Sequence, residues 1–412
     1  MKMSSAFRAA TKQQDSTQGD HKGTPLLYHA AHAARPYMVG AYPCGRPAAA
    51  RTRPRPTACT RPRPTRSHPA ICLLYILALL LMVGCGQQNQ QSSTSTPGAH
   101  TTPTIPPSSF KNPVIQSDFP DPDVLQVGKT YYAYATNAAG ANVQVARSND
   151  LVHWDMLKDA MPALPPWAQP GGSFVWAPSV IQLGNKYVMY YTARDMQSNK
   201  QCVGVAVSDK PEGKFKDQSN HALVCQADEG GTIDPSPLLD GGKLYLYFKN
   251  DGNCCGRTTY LYAQQLTADG LSVTGKPTRL VSNDNSWEGS VVEAPDMFKH
   301  NGKYYLFFSA NDYSGVHYAV GYARCQTAVG PCTEAAENPI LASQTTHQPL
   351  VIGPGGETVF QVGNQTWMVY HVWDVAPDGT RGDSRYMWLD RVNWQDDKPH
   401  VQGPTTAPEP IP

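Results

Sequence analysis

Four things are missing from this 412-residue chain, and each absence closes off a class of protein. No apolar run reaches the about 20 residues of a membrane-spanning helix; the run at residues 71–83 is thirteen long. Long helical periodicity is missing from the C-terminal three quarters, which argues against a helical bundle. The cysteines beyond Cys85 (Cys202, Cys225, Cys254, Cys255, Cys325 and Cys332) lack the paired C-x-x-C spacing of a zinc site. Basic excess is missing too, once the N-terminus is set aside. The whole chain carries 34 basic and 33 acidic residues, but residues 1–70 hold twelve of the former and two of the latter, leaving 22 against 31 in residues 86–412. The near-neutral total is a product of the N-terminus. A remainder of net charge −9 offers nucleic acid no electrostatic footprint.

What is there begins with a basic leader ending "RTRPRPTACTRPRPTRSHP", followed by "ICLLYILALLLMVGC". A basic segment before a short apolar core is the layout of a secretory signal. The ending "MVGC" resembles a bacterial lipoprotein signal, in which the cysteine is lipidated and becomes the first mature residue. Residues 1–85 therefore read as leader and signal peptide with Cys85 as the lipid anchor, and the leader's length points to a start codon downstream of Met1. A short buried core helix is the alternative. Residues 86–111, rich in Gln, Ser, Thr and Pro, have almost nothing to bury and read as a disordered tether. The expected product is a secreted or cell-surface lipoprotein, monomeric, that meets the membrane only through its anchor. Six cysteines in an exported chain point to disulfides. The preferred pairs are Cys202 with Cys225 and Cys325 with Cys332, which leaves Cys254 and Cys255 as a strained vicinal pair.

A length of 412 residues allows two or three domains by the usual prior, but a repeat narrows that to one. "PDPDVLQVGKTYYAYAT", "WAPSVIQLGNKYVMYYT", "IDPSPLLDGGKLYLYFK", "EAPDMFKHNGKYYLFFS" and "GETVFQVGNQTWMVYHV" each hold an apolar strand, a Gly-centred turn and an aromatic second strand. That is one β-hairpin written five times. Four copies share a proline (Pro122, Pro178, Pro235, Pro295) and the fifth has Glu357, at spacings of 56, 57, 60 and 62 residues. Such a period leaves room for four short strands per unit, which is the signature of radial blades. The fold class is all-β, a five-bladed β-propeller over residues 112–404, with residues 405–412 as a C-terminal tail.

In a propeller the innermost strands all begin near one mouth of the axis. The residues before the shared prolines are Asp121, Ala177, Asp234 and Ala294; one step earlier stand Pro120, Trp176, Ile233 and Glu293. Asp121 is hemmed between Pro120 and Pro122, and a residue before proline is pushed toward extended geometry. Three carboxylates and a tryptophan thus crowd one funnel. Like charges held together raise one another's pKa, so the arrangement favours a functional site over a solvated turn. Strand alternation places Glu293 on the other face from the aspartates.

At these residues the sequence resembles glycoside hydrolase family 43, five-bladed propeller enzymes that cleave arabinose- and xylose-containing polysaccharides. The likeness rests on "NPVIQSDFPDPDV", "WAPSVIQLGNKYVMYYTA", "IDPSPLLDGGKLYLYFK", "VEAPDMFKHNGKYYLFFSA" and "RYMWLDRVNW". It implies an inverting hydrolase needing no cofactor for its chemistry, with Asp121 as general base, Asp234 as pKa-tuning carboxylate and Glu293 as general acid. It also implies that Arg385 contacts substrate and the tuning Asp234, and that His371 faces the axis and helps hold a calcium ion or its water. A surface ion pair for Arg385 and a satisfied core histidine for His371 are the bland alternatives. Trp176 reads as a sugar platform or a core residue, and Trp287, Tyr313 and Trp373 as cleft candidates without a way to choose. The expected partner is a plant-type polysaccharide or oligosaccharide. The expected action is exo release of L-arabinose from arabinan or arabinoxylan, with β-xylosidase or endo-1,5-α-L-arabinanase as alternatives and a non-catalytic carbohydrate-binding propeller behind them.

Overall fold

The computed structural model describes residues 108–171 and 174–412. The leader, the signal, Cys85 and nearly all of the tether lie outside the described residues. Five sheets follow one another along the chain as the blades of a β-propeller. The first blade is Asp123–Val127, Thr130–Ala135, Gln144–Ser148 and Asp155–Met156. The third is Thr232–Asp240, Lys243–Asn250, Tyr260–Leu266 and Val273–Ser282. The fourth is Val292–His300, Lys303–Ala310, Ala319–Cys325 and Cys332–Glu334. The fifth is Ile352–Val362, Gln365–Val375, Arg381–Gln395 and Lys398–Val401. The second departs from the expected four strands: it has Trp176–Leu183, Lys186–Arg194 and Gln201–Ser208, and this last strand is met beyond Lys186–Arg194 by isolated bridges, Val203 with Val224, Val207 with Lys216 and Gln201 with Gly231.

Each quoted hairpin forms the two inner strands of a blade, closed by the glycine turn that the sequence marks. The aromatic second strands face the neighbouring blades. Tyr134 of the first blade packs with Tyr187 and Met189 of the second. Val188 and Tyr190 of the second meet Leu244, Leu246 and Phe248 of the third. The remaining seams, third to fourth, fourth to fifth and fifth to first, are apolar in the same way. Burial of this kind contributes about 25 cal/mol per Å² of apolar surface, and here it is spread over five seams instead of one core.

The ring closes between the fifth and first blades. The stretch "NPVIQSDF" runs along the strand Arg381–Gln395: the Val114 amide donates to the Met387 carbonyl (2.9 Å), and the Met387 amide to the Ile115 carbonyl (3.1 Å). Asn112 accepts from the Leu389 amide (2.8 Å) and donates to the Leu389 carbonyl (3.0 Å). Outside the ring, Ser109–Phe110 pairs with Glu409–Pro410. Two disulfides form as the sequence suggests, Cys202–Cys225 and Cys325–Cys332. The vicinal pair does not: the Cys254 and Cys255 sulfurs stand 3.0 Å apart, wider than the about 2.05 Å of an S–S bond.

Candidate active site

One backbone device repeats at the start of every innermost strand. Trp176 pairs with Thr192 and Ser179 with Tyr190, so Ala177 and Pro178 oppose Tyr191 alone. The third, fourth and fifth blades show the same slip at Asp234, Ala294 and Gly356. These are β-bulges, two residues against one. Asp121, Ala177, Asp234, Ala294 and Gly356 accordingly take positive φ of 53°, 42°, 56°, 52° and 60°. The expectation of extended geometry at Asp121 fails here, because the bulge overrides the pre-proline preference. Left-handed geometry also breaks the strand alternation that would send Glu293 away from the aspartates. Glu293 lies close enough to Asp234 to raise the pKa of that carboxyl, and the bulge residues line a cavity on the axis.

Asp121 is anchored from three directions. The Thr136 hydroxyl donates to Oδ2 (2.6 Å), Arg385 Nη1 donates to Oδ1 (3.1 Å), and His371 Nδ1 stands 3.3 Å from Oδ1. Burial pushes the carboxyl up, but the guanidinium, the histidine and the hydroxyl outweigh it and hold Asp121 well below the usual carboxylate range. It is an anion at any pH near neutrality. Arg385 therefore pairs with Asp121 and not with Asp234, which corrects the expected contact. Its guanidinium is 5.4 Å from the ring centres of both Tyr313 and Trp373, and the Trp373 indole donates to the Tyr313 carbonyl (2.7 Å). Those two cleft candidates join the site, whereas Trp287 packs on Phe308 inside the fourth blade.

Glu293 receives two donors. The fully buried Lys249 ammonium reaches Oε2 (3.0 Å) and the Tyr318 hydroxyl reaches Oε1 (2.8 Å). Burial alone lowers the Lys249 pKa, but Glu293, Asp234 and Asp251 outweigh it, so the ammonium stays charged. Asp234 accepts the Ala294 amide (3.0 Å) and is pushed up to about 7, first by burial and then by Glu293. The site thus joins an anion held low, a carboxyl held high and a glutamate fixed by two donors. Sequence reasoning missed Lys249, Tyr318 and Thr136. The one available signal was a lysine at the end of the apolar strand "LYLYFK", where a solvated face is not expected.

Trp176 is half-buried at the start of the second blade, 6.5 Å from the Phe174 ring, which the Arg194 guanidinium covers at 4.7 Å. His371 is fully buried beneath Asp121 and stacks on Tyr318 (5.8 Å between rings). Burial, then Arg385, lowers its pKa, so the ring is neutral. Nδ1 faces the Asp121 amide (3.2 Å) as well as Oδ1, and Nε2 is buried with no hydrogen-bond partner. Because the Asp121 amide donates to Nδ1, the neutral ring carries its hydrogen on Nε2, which can give it to a metal-bound water but cannot itself ligate the ion. Among the described residues, however, no group of three ligating side chains gathers at the axis. Calcium there would be held only through a water bonded to His371.

The chain matches the family model described as Glycosyl hydrolases family 43 over residues 110–399. An extracellular endo-alpha-(1->5)-L-arabinanase of Thermotoga petrophila is 31% identical over 252 residues, which are 51% of this chain and 50% of that protein. A probable arabinan endo-1,5-alpha-L-arabinosidase A of Aspergillus flavus is 26% identical over 271 residues, 61% of this chain and 80% of that one. Among solved structures, a thermostable family-43 glycoside hydrolase aligns with a TM-score of 0.66 at 31% identity, covering 74% of this chain and 99% of the other. The chain thus spans half the length of the Thermotoga relative.

Proposed function

Because the chain belongs to glycosyl hydrolases family 43 and is a glycosidase, we propose that it is an endo-acting α-1,5-L-arabinanase that hydrolyses with inversion. The observation that carries the chemistry is the contrast between two aspartates: Asp121 is held ionised by Arg385, Thr136 and His371, while Asp234 is pushed up beside Glu293. An inverting glycosidase needs one carboxylate to take a proton from water and one acid to give a proton to the leaving oxygen. Asp121 takes the first role: it removes a proton as the water oxygen bonds to the anomeric carbon. Glu293 takes the second, protonating the glycosidic oxygen as its bond to that carbon breaks. The products are a sugar of inverted configuration and a free hydroxyl, so the atoms of one water are accounted for. Asp234 stands beside Glu293 as the tuning carboxylate, and Lys249 and Tyr318 fix the direction of Glu293.

Trp176, Tyr313 and Trp373 are the apolar faces for furanose rings, with Arg385 between the last two. A calcium ion held through His371 would add positive charge beneath Asp121. The exo reading of the sequence yields here to its endo alternative, because the reported arabinan-acting relatives carry endo names. The extracellular name of the Thermotoga relative also supports export.

Time-resolved product analysis on linear α-1,5-arabinan tests the reading. Arabino-oligosaccharides with an early fall in viscosity are expected. Free arabinose from the first time point restores the exo assignment, and xylose release from xylo-oligosaccharides as the main activity replaces arabinan by xylan.

A further inference from the structure

Away from the axis, three carboxylates meet where the connection leaving the third blade touches the outer strand of the fourth. Asp284, Glu288 and Glu334 each offer an oxygen within 4.8 Å of the others. Asp284 and Glu288 belong to "SNDNSWE", and Glu334 ends the strand Cys332–Glu334, tied to its neighbour by Cys325–Cys332. Glu288 is 0% exposed. Its Oε2 accepts the Asn285 amide (2.7 Å), but its Oε1 is buried with no hydrogen-bond partner. The same loop aims the other two acids. The Ser282 hydroxyl donates to Asp284 (3.0 Å), and the Asn285 side-chain amide donates to Glu334 (2.6 Å) and Asp284 (3.3 Å). No ion pair among the described residues reaches any of the three.

A buried carboxylate oxygen left unpaired is costly, and a second acid facing it makes the cost larger. Either a proton or a cation must relieve such a group. We infer that Asp284, Glu288 and Glu334 bind a calcium-class divalent cation, with Glu288 Oε1 as its buried ligand. The donors are all oxygen, which selects a hard ion over zinc or copper. Calcium takes about six to eight oxygens in flexible geometry, whereas magnesium demands a near-ideal octahedron. An irregular loop with one exposed, one half-buried and one buried acid suits the former, water filling the open side.

The site is separate from the axis but close in sequence to the chemistry. The Glu288 carbonyl accepts the amides of Val291 (3.2 Å) and Asn311 (3.0 Å), and the strand bearing Glu293 begins at Val292. A cation here braces the entry to that strand.

Trp287, next to Glu288, supplies the readout, since an indole sensitises Tb³⁺ bound in a calcium site. Titrating the purified protein with Tb³⁺ should give emission on tryptophan excitation that Ca²⁺ displaces. The emission should fall at least tenfold in Asp284→Asn and in Glu334→Gln. It should also fall in Trp287→Phe, although that variant keeps the calcium-dependent rise in Tm. That rise should be about 3 °C or more with calcium 100-fold above Kd. Asp284 is exposed, so its variant remains informative if Glu334→Gln fails to fold. Emission that survives in Trp287→Phe or in both carboxylate variants puts the ion elsewhere, the axis included, and overturns the inference. So does a Tm that ignores calcium yet responds to acid only while Glu334 is intact, because the group is then held by a shared proton.

Discussion

Within "EGSVVEAP" two glutamates compete for the role of proton donor, and their surroundings separate them. Glu288 is fully buried, caps its own turn through Asn285, and faces Glu334. Glu293 touches Lys249 and Tyr318 and stands close enough to Asp234 to push that carboxyl up. A general acid matters in proportion to how badly the leaving group needs a proton. Glu293→Ala should therefore slow hydrolysis of an arabino-oligosaccharide by roughly 10²–10⁴-fold while sparing a dinitrophenyl glycoside, whose leaving group needs no proton. Asp121→Ala should damage both substrates, since water must be activated in either case. Glu288→Ala should lose stability and show no such dependence on the leaving group. If Glu288→Ala alone shows it, the assignment is reversed. The trio was legible because acids recurring at the same place in the first, third and fourth hairpins stand out against an apolar repeat. Lys249 and Tyr318 were not, since a residue inside an aromatic-rich strand reads as core until the neighbouring blade is placed beside it.

The hairpins, their glycine turns and their number could be read at the element scale, but the bulge that aims the site could not. Proline after Asp121 argues for extended backbone, and only strand pairing shows two residues facing one. Four of the five bulge positions carry a side chain at positive φ, at a cost of roughly 1–2 kcal/mol each. The fifth, Gly356, has no choice of residue. A Cβ there would stand 2.6 Å from His371 Nδ1 and 2.9 Å from Asp121 Oδ1. Gly356→Ala should thus lower stability by roughly 1–2 kcal/mol for its φ of 60°, and it should lower kcat/KM further than that loss explains, by displacing the base. Ala294→Gly, which relieves the same strain without touching Asp121, is the control and should be neutral or stabilising. Urea denaturation and arabinan kinetics on both variants decide the matter. Unchanged kcat/KM in folded Gly356→Ala would show that the bulge does not position Asp121. The missing outer strand of the second blade was equally hidden, because the sequence period counts residues and not hydrogen bonds.

For the molecule as a whole, stability comes from five apolar seams around an axis that is itself polar. Asp123 there accepts from Ser179 (2.9 Å) and the Val180 amide (2.9 Å), and Asp296 accepts from Ser236 (3.2 Å) and the Val359 amide (2.7 Å), which links neighbouring blades. Burial pushes Asp123 up to about 7 and Asp296 up to about 6. It pushes Asp234 and the Tyr370-bonded Asp390 up to about 7 as well. In the unfolded chain such groups ionise near about 3.9. Between about pH 4 and pH 7 the folded protein therefore binds more protons than the unfolded one, and stability must fall as pH rises. Below that window these acids are protonated in both states and their contribution is fully present; above it the loss is complete. Asp121 runs the other way, since its folded value is depressed: its contribution is present above about pH 4 and fades in stronger acid. The net charge of −9 on residues 86–412 adds self-repulsion as pH rises. The urea midpoint should accordingly be highest near pH 4–5 and decline to about pH 7, the range set by the shifted carboxyls. Asp123→Asn, which keeps an acceptor for Ser179 but cannot ionise, should flatten the decline. A midpoint that climbs steadily from pH 4 to pH 7 would mean the axial carboxyls ionise without penalty, and the coupling between the ring of blades and its polar axis would have to be given up.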